Sequence, residues 1–70
     1  MILKAGDLKK SSGTASSIHW RGKYGHLLTW NRVTSWVSLQ APGGEWYQLE
    51  PAASAVEAKR RYVEFRESDQ

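Results

Sequence analysis

A β-hairpin is predicted for residues 37–49, which read Val-Ser-Leu-Gln-Ala-Pro-Gly-Gly-Glu-Trp-Tyr-Gln-Leu. The central Pro42-Gly43-Gly44 is a strong turn signal, because proline fixes φ and glycine accepts positive φ values. Pairing Ala41 with Glu45 across this turn sets the register of the two strands. The apolar residues that this register places opposite one another are Leu39 with Tyr47 and Val37 with Leu49.

A second hairpin is predicted immediately upstream, with Asn31-Arg32 as a two-residue turn, since asparagine tolerates positive φ. Pairing Trp30 with Val33 across it gives three antiparallel strands in one register. Because strand side chains alternate, one face is apolar and the other polar. The apolar face collects Tyr24, His26, Leu28, Trp30, Val33, Val37, Leu39, Tyr47 and Leu49. The polar face collects Lys23, Leu27, Thr29, Thr34, Trp36, Ser38, Gln40, Trp46, Gln48 and Glu50.

An amphipathic helix is predicted for residues 54–67. Ser54 and Glu57 have the spacing of a capping box, which satisfies free amides at a helix start. An apolar stripe at helical spacing would cover the apolar sheet face; its members are Ala55, Ala58, Tyr62 and Phe65. We therefore expect a single α+β domain over residues 1–70. It would contain a flexible basic N-terminal segment (1–17), a three-stranded antiparallel β-meander (18–50) and one C-terminal helix packed on it.

The composition excludes several classes of protein. The chain has 70 residues and no Cys, so disulfide scaffolds, zinc fingers and iron–sulfur clusters are excluded. No phosphate-binding loop, dinucleotide-binding motif or zinc-protease motif is present. We expect no enzymatic activity, no metal and no cofactor. Since no apolar run reaches the ~20 residues of a membrane span and the first residues lack a signal-peptide core, we expect a cytoplasmic protein without a membrane partner.

Positive charge is concentrated in the first half of the chain. Residues 1–35 have a net charge of +5 and residues 36–70 a net charge of −2. The cations of the first half are Lys4, Lys9, Lys10, Arg21, Lys23 and Arg32, against Asp7 alone. A basic half favours polyanionic partners, and nucleic acid is the usual one.

The polar sheet face is the main candidate for function. It carries Trp36 and Trp46, which can stack on bases, among hydroxyl and amide groups that can bond phosphates and base edges. Arg21, Lys23 and Arg32 lie at its edges, while Lys9 and Lys10 would act from a mobile basic arm. The alternative for Trp36 is a structural one, in which its ring packs against Leu27 in a second small apolar cluster.

One resemblance supports DNA binding. The strand Trp46-Tyr47-Gln48-Leu49 leads into a helix with Glu57-Ala58-Lys59-Arg60-Arg61-Tyr62. With three strands followed by one covering helix, this resembles the AP2-type DNA-binding domain and the arm-site domain of phage integrases. The resemblance implies contact residues on the exposed sheet face, which here are Arg21, Lys23, Arg32, Thr34, Trp36, Ser38 and Trp46. Those families place several Arg on this face, whereas this chain has mainly Thr, Ser and Gln.

A second resemblance competes with the first. The segments 3–8, 24–28, 36–39 and 44–47 are similar to small SH3-like β-barrels, including those encoded by phages. A barrel would bury part of the polar face, and such domains bind proteins as often as nucleic acid.

We therefore predict a small, non-enzymatic nucleic-acid-binding accessory protein of the phage or mobile-element type, with DNA favoured over RNA. The alternative is an SH3-like protein-binding module or inhibitor that uses exposed Trp anchors. The predicted contact residues are Lys9, Lys10, Arg21, Lys23, Arg32, Thr34, Trp36, Ser38 and Trp46.

Overall fold

Five antiparallel strands and a C-terminal helix build the fold in the computed structural model, which describes residues 3–65. A short 3₁₀ helix, Ala5–Asp7, precedes the strands. The strands are β1 (Lys9–Gly13), β2 (Ser17–Arg21), β3 (Leu27–Asn31), β4 (Val37–Gln40) and β5 (Trp46–Leu49), and the helix is α1 (Ala55–Glu64). They form one sheet in sequence order, with β1 and β5 as its outer strands. The α+β class, the antiparallel sheet and the C-terminal helix are thereby confirmed.

The prediction of three strands is wrong, because two more precede them. Strand β1 lies within the segment predicted to be a flexible loop, and β2 lies at the start of the predicted meander (18–50), where a turn at residues 22–26 separates it from β3. Every residue of β1 is exposed, so its sequence, Lys-Lys-Ser-Ser-Gly, carries no apolar alternation. Its pairing with β2 is through the backbone, with a bulge between Lys10 and Ser12. A short, lysine-bearing, bulged strand is a common way to protect a sheet edge.

The predicted two-residue turn at Asn31-Arg32 is also wrong. Trp30 lies opposite Val37 instead of Val33, so the strands pair four residues further on. The Asn31 side chain explains the longer turn, since its Oδ1 accepts hydrogen bonds from the amides of Val33 (2.9 Å) and Thr34 (3.0 Å). The turn closes at Ser35, which has a φ of 68°. A shift of four residues is even, so the strand residues keep their predicted faces.

The second hairpin has the predicted register. Val37 lies opposite Leu49 and Leu39 lies opposite Tyr47. Val37 and Leu39 are fully buried. The Ala41 amide donates to the Glu45 carbonyl at 2.8 Å, and Gly44 has a φ of 101°, as the glycine-rich turn requires.

The core lies between one sheet face and α1. Its buried members are Leu3, Leu8, Trp20, Leu28, Trp30, Val37, Leu39, Ala52, Ala58 and Tyr62. The predicted helix stripe is confirmed, with Ala58 and Tyr62 buried, and Ala55 and Phe65 partly buried against the same cluster. His26 packs in this region with its ring edge-on to Tyr62, centroids 5.8 Å apart. Two residues assigned to the apolar face, Tyr24 and Val33, are instead exposed in turns.

The helix begins at the predicted cap. Ser54 Oγ accepts a hydrogen bond from the Glu57 amide at 3.2 Å, and the Glu57 carboxylate accepts one from the Ala53 amide at 2.7 Å. Phe65 has an extended ψ of 135°, so α1 ends at Glu64 rather than at residue 67. Residues 66 and 67 of the predicted helix lie outside the described residues.

Candidate functional site

One face of the sheet packs on the core, and the other carries no covering element from residues 3–65. We call this second surface the open face. Its residues follow from strand alternation and from the observed registers. They are Lys9, Ser12, Ser17, His19, Arg21, Leu27, Thr29, Asn31, Trp36, Ser38, Gln40, Trp46, Gln48 and Glu50, and each is exposed or half-buried.

A polar row crosses the middle of the open face. Cross-strand pairing aligns Ser12, His19, Thr29, Ser38 and Gln48, one from each strand. His19 Nδ1 and Thr29 Oγ1 are hydrogen-bonded at 2.9 Å, which orients the imidazole on the sheet surface. Hydroxyl, imidazole and amide groups in one line supply both donors and acceptors, the groups that bond to base edges and sugars.

A second line of residues, the basic row, lies beside the polar row. It aligns Lys9, Arg21, Leu27, Gln40 and Trp46, again one from each strand. Two cations therefore occupy β1 and β2, while an exposed indole occupies β5. With strands about 4.8 Å apart, the row is about 19 Å long.

A shallow pocket adjoins the cationic end of the basic row. It has a volume of about 410 Å³ and lies between the 3₁₀ helix and the β2–β3 turn. Its lining residues are Gly6, Asp7, Lys9, Arg21, Gly22 and Lys23. Among residues 3–65, Asp7 forms no salt bridge with these three cations. Three cations and one carboxylate therefore line the pocket, and its described lining has a net positive charge.

Tyr62 lies beneath this pocket and restricts which residue can occupy position 22 in the turn above it. A Cβ added to Gly22 would lie 2.6 Å from Tyr62 Oη, so only glycine fits there. Burial raises the pKa of the Tyr62 hydroxyl, with smaller contributions in the same direction from Asp7 and Tyr24. The hydroxyl is therefore neutral at physiological pH.

Two tryptophans lie at opposite ends of the open face. Trp36 is 58% exposed and Trp46 is 59% exposed. The Asn31 amide donates to the Trp36 carbonyl at 2.9 Å, which extends the β3–β4 pairing by one residue. The two positions are separated by four residues along the strand direction and by one strand spacing, which together correspond to about 14 Å. The Trp36 ring is thus not packed into a second apolar cluster, and the indoles occupy distinct parts of the face.

The predicted contact residues divide into two groups. Lys9, Arg21, Trp36, Ser38 and Trp46 share the open face, and Lys23 lines the adjoining pocket. The others lie elsewhere. Lys10 is opposite Trp20, on the helix side of the sheet. The Arg32 guanidinium lies 5.9 Å from the centre of the Trp30 ring, and Thr34 Oγ1 accepts from the Trp36 amide within the turn.

His19 and Ser12 belong to the open face but were not among the predicted contact residues. The segment Ser17–Arg21 carries a usable signal, because Ile18 and Trp20 alternate with His19 and Arg21 as in a half-buried strand. Ser12 lies in β1, whose exposed sequence gives no such pattern.

Residues 3–65 contain no helix with the length and apolar character of a membrane span. The same part of the chain brings together no group of three or more imidazoles and carboxylates that could hold a metal ion. No protein-family model, curated protein or solved structure matches this chain.

Proposed function

We propose that this protein binds nucleic acid through the open face, as a small non-enzymatic accessory factor of the kind that phages and mobile elements encode. DNA is favoured over RNA. The observation that carries the proposal is the basic row, in which Lys9 and Arg21 share one line with the exposed Trp46 on an uncovered sheet surface.

Charge supports the polyanionic partner. Lys9, Arg21 and Lys23 converge on one pocket at the edge of the open face. Two cations of the helix have contacts of their own, as Lys23 has with the Tyr24 ring at 5.7 Å. Arg61 bonds the Pro51 carbonyl at 3.1 Å and lies 3.7 Å from the Glu64 carboxylate, while Lys59 Nζ lies 5.6 Å from the centre of the Trp20 ring. The cations that line a common pocket are thus Lys9, Arg21 and Lys23, beside the open face.

Surface chemistry supports base contact as well as phosphate contact. An exposed indole can stack on any base, and the polar row offers side-chain donors and acceptors beside it. Side chains of this kind on a sheet surface can contact a nucleic acid without strong sequence discrimination, since an indole can stack on every base.

The alternative function, protein binding, uses the same two tryptophans as aromatic anchors. The observation in its favour is that Trp36 and Trp46 are both more than half exposed. Such a module has no requirement for phosphate-binding cations, so neutralising Lys9 or Arg21 would leave its affinity largely unchanged.

A titration separates the two functions. Labelled single-stranded and duplex DNA and RNA are titrated with the protein at about 50 and 200 mM salt. We expect binding at low salt that weakens steeply at high salt, because each phosphate contact releases counterions. Absence of binding to all four ligands at low salt would overturn the proposal and favour a protein partner.

A further inference from the structure

We infer that the open face binds single-stranded rather than duplex nucleic acid, with the chain crossing the strands along the basic row. A backbone phosphate would lie in the pocket beside Lys9 and Arg21, and a base would stack on Trp46. This inference rests on the proposed function and names the form of its ligand.

The width of the sheet argues against docking into a duplex groove. Five strands separated by about 4.8 Å span about 19 Å between the axes of β1 and β5. The major groove of B-DNA is about 12 Å wide and admits a helix or a two-stranded ribbon. A three-stranded sheet, about 10 Å across, is much closer to that width. The two additional strands therefore remove the geometry on which the resemblance to sheet-type duplex readers depends.

The pairing of Lys9 with Arg21 indicates where a phosphate would bind. The two residues are directly opposite on neighbouring strands. Like charges at such positions repel, and among the described residues no carboxylate bridges them. Lys23 lines the same pocket two residues after Arg21. A phosphate placed between these cations would replace their repulsion with charge-assisted hydrogen bonds.

Trp46 completes the row at a distance suited to an extended chain. Three strand spacings separate it from Arg21, or about 14 Å. Leu27 and Gln40 lie between them, and neither side chain carries a charge. An unstacked strand can place a phosphate at one end of this path and a base on the indole at the other, whereas the bases of a duplex are stacked on one another.

Trp36 provides an internal control, because it has nearly the same exposure on the same face. Its end of the sheet carries Ser17 and Asn31 in the adjoining strands. Since Val37 is opposite Leu49, the next residues outward, Trp36 and Glu50, lie at the same end. Among residues 3–65, no cation of the open face lies at this end, and the negative charge of Glu50 disfavours a phosphate. The inferred path thus includes Trp46 and excludes Trp36.

The test compares Trp46→Ala with Trp36→Ala in the full chain. Fluorescence anisotropy measures binding to a single-stranded oligonucleotide of about 12 nucleotides, as DNA and as RNA, and to the duplex of the same sequence. We expect the parent to prefer the single strands. Trp46→Ala should weaken single-strand binding about 5- to 150-fold, and Trp36→Ala should weaken it less than about twofold. Melting curves establish that both variants are folded.

Two outcomes overturn this inference while leaving nucleic-acid binding intact. One is a parent protein that binds the duplex as tightly as the single strands, or more tightly. The other is an equal loss of single-strand affinity in the two variants. Failure to bind any of the oligonucleotides would instead overturn the proposed function itself, so the two failures are distinguishable.

Discussion

Lys9 lies on the edge strand β1, directly opposite Arg21 on the neighbouring strand β2. Like charges directly opposite one another on neighbouring strands are destabilising. Their only carboxylate neighbour in the pocket, Asp7, forms no salt bridge with either among residues 3–65. The proposed phosphate contact would offset the repulsion between these two cations.

Replacing Lys9 with Gln should separate stability from binding. The substitution removes the repulsion while keeping most of the side-chain length, so the free energy of unfolding should stay the same or rise by up to about 0.5 kcal/mol. Single-strand binding should weaken, and the slope of log K against log salt should fall in magnitude by about 0.7. Urea unfolding and anisotropy at several salt concentrations measure the two effects.

Lys59→Gln is the matched control, because Lys59 lies over the Trp20 ring on the helix side of the sheet. Its salt slope should equal that of the parent protein. A Lys9→Gln variant with the parent slope would show that the Lys9 ammonium contacts no phosphate.

Gly22→Ala should destabilise the protein. The new methyl group would lie 2.6 Å from Tyr62 Oη and 3.3 Å from Tyr62 Cζ, so the β2–β3 turn or the fully buried ring must move. Overpacking of this kind costs about 1–3 kcal/mol, which lowers the melting temperature by about 4–8 °C per kcal/mol in a domain of this size. Calorimetry measures the shift.

Gly6→Ala serves as the control for that substitution. A Cβ at Gly6 has no heavy atom of residues 3–65 within 4 Å, so the melting temperature of Gly6→Ala should stay near that of the parent. Equal melting temperatures for the parent and Gly22→Ala would mean that the turn does not rest on Tyr62.

Tyr62→Phe should leave the protein as stable as the parent, or make it more stable. The Tyr62 hydroxyl is buried and has no hydrogen-bond partner among residues 3–65. An unsatisfied buried polar group costs about 1–3 kcal/mol, and phenylalanine keeps the ring while removing that group. A loss of more than about 1 kcal/mol in urea unfolding would reveal a hydrogen-bond partner for the hydroxyl.

The difference in the free energy of unfolding between the parent and Tyr62→Phe should depend on pH. Burial raises the pKa of Tyr62 above its usual value near 10.0, so the folded state holds this proton more tightly than the unfolded chain. The parent is therefore fully stable with respect to this group below about pH 10 and loses stability as the pH rises further. The advantage of Tyr62→Phe should grow over that range, and a constant difference between the two proteins would contradict the raised pKa.

The fold was predictable where a local signal and the tertiary contacts agree. The Pro42-Gly43-Gly44 turn and the Ser54/Glu57 cap are both local, and the structure confirms both. The prediction of the first turn was wrong because Asn31 Oδ1 accepts hydrogen bonds from two later amides. The rule for two-residue turns does not include this arrangement. Strand β1 was not predicted because its exposed residues have no apolar alternation, and only its backbone pairing defines it.

The candidate site was predictable to the same degree. The even register shift preserved the two faces, so Ser38, Trp46 and Trp36 lie on the open face as predicted. The cationic pocket was not predictable, because it depends on β1 lying beside β2 and bringing Lys9 opposite Arg21. No sequence spacing reveals such a contact between a supposed loop and a strand.

Binding through the open face is tested most directly by removing three positive charges from one side of the sheet or from the other. One variant carries Gln at Lys9, Arg21 and Lys23, which line the pocket. Its control carries Gln at three cations away from the open face, which are Lys10, Arg32 and Lys59. Both variants have a formal net charge of 0 in place of +3, so a difference between them reflects position and not total charge.

Anisotropy with a single-stranded oligonucleotide at about 50 mM salt provides the measurement, after melting curves show that both variants are folded. Binding through the open face predicts that the pocket variant loses about 100-fold in affinity, since three exposed charged contacts at about 1 kcal/mol each amount to about 3 kcal/mol. The control should lose less than about fivefold. Equal losses in the two variants, or a larger loss in the control, would contradict binding through the open face.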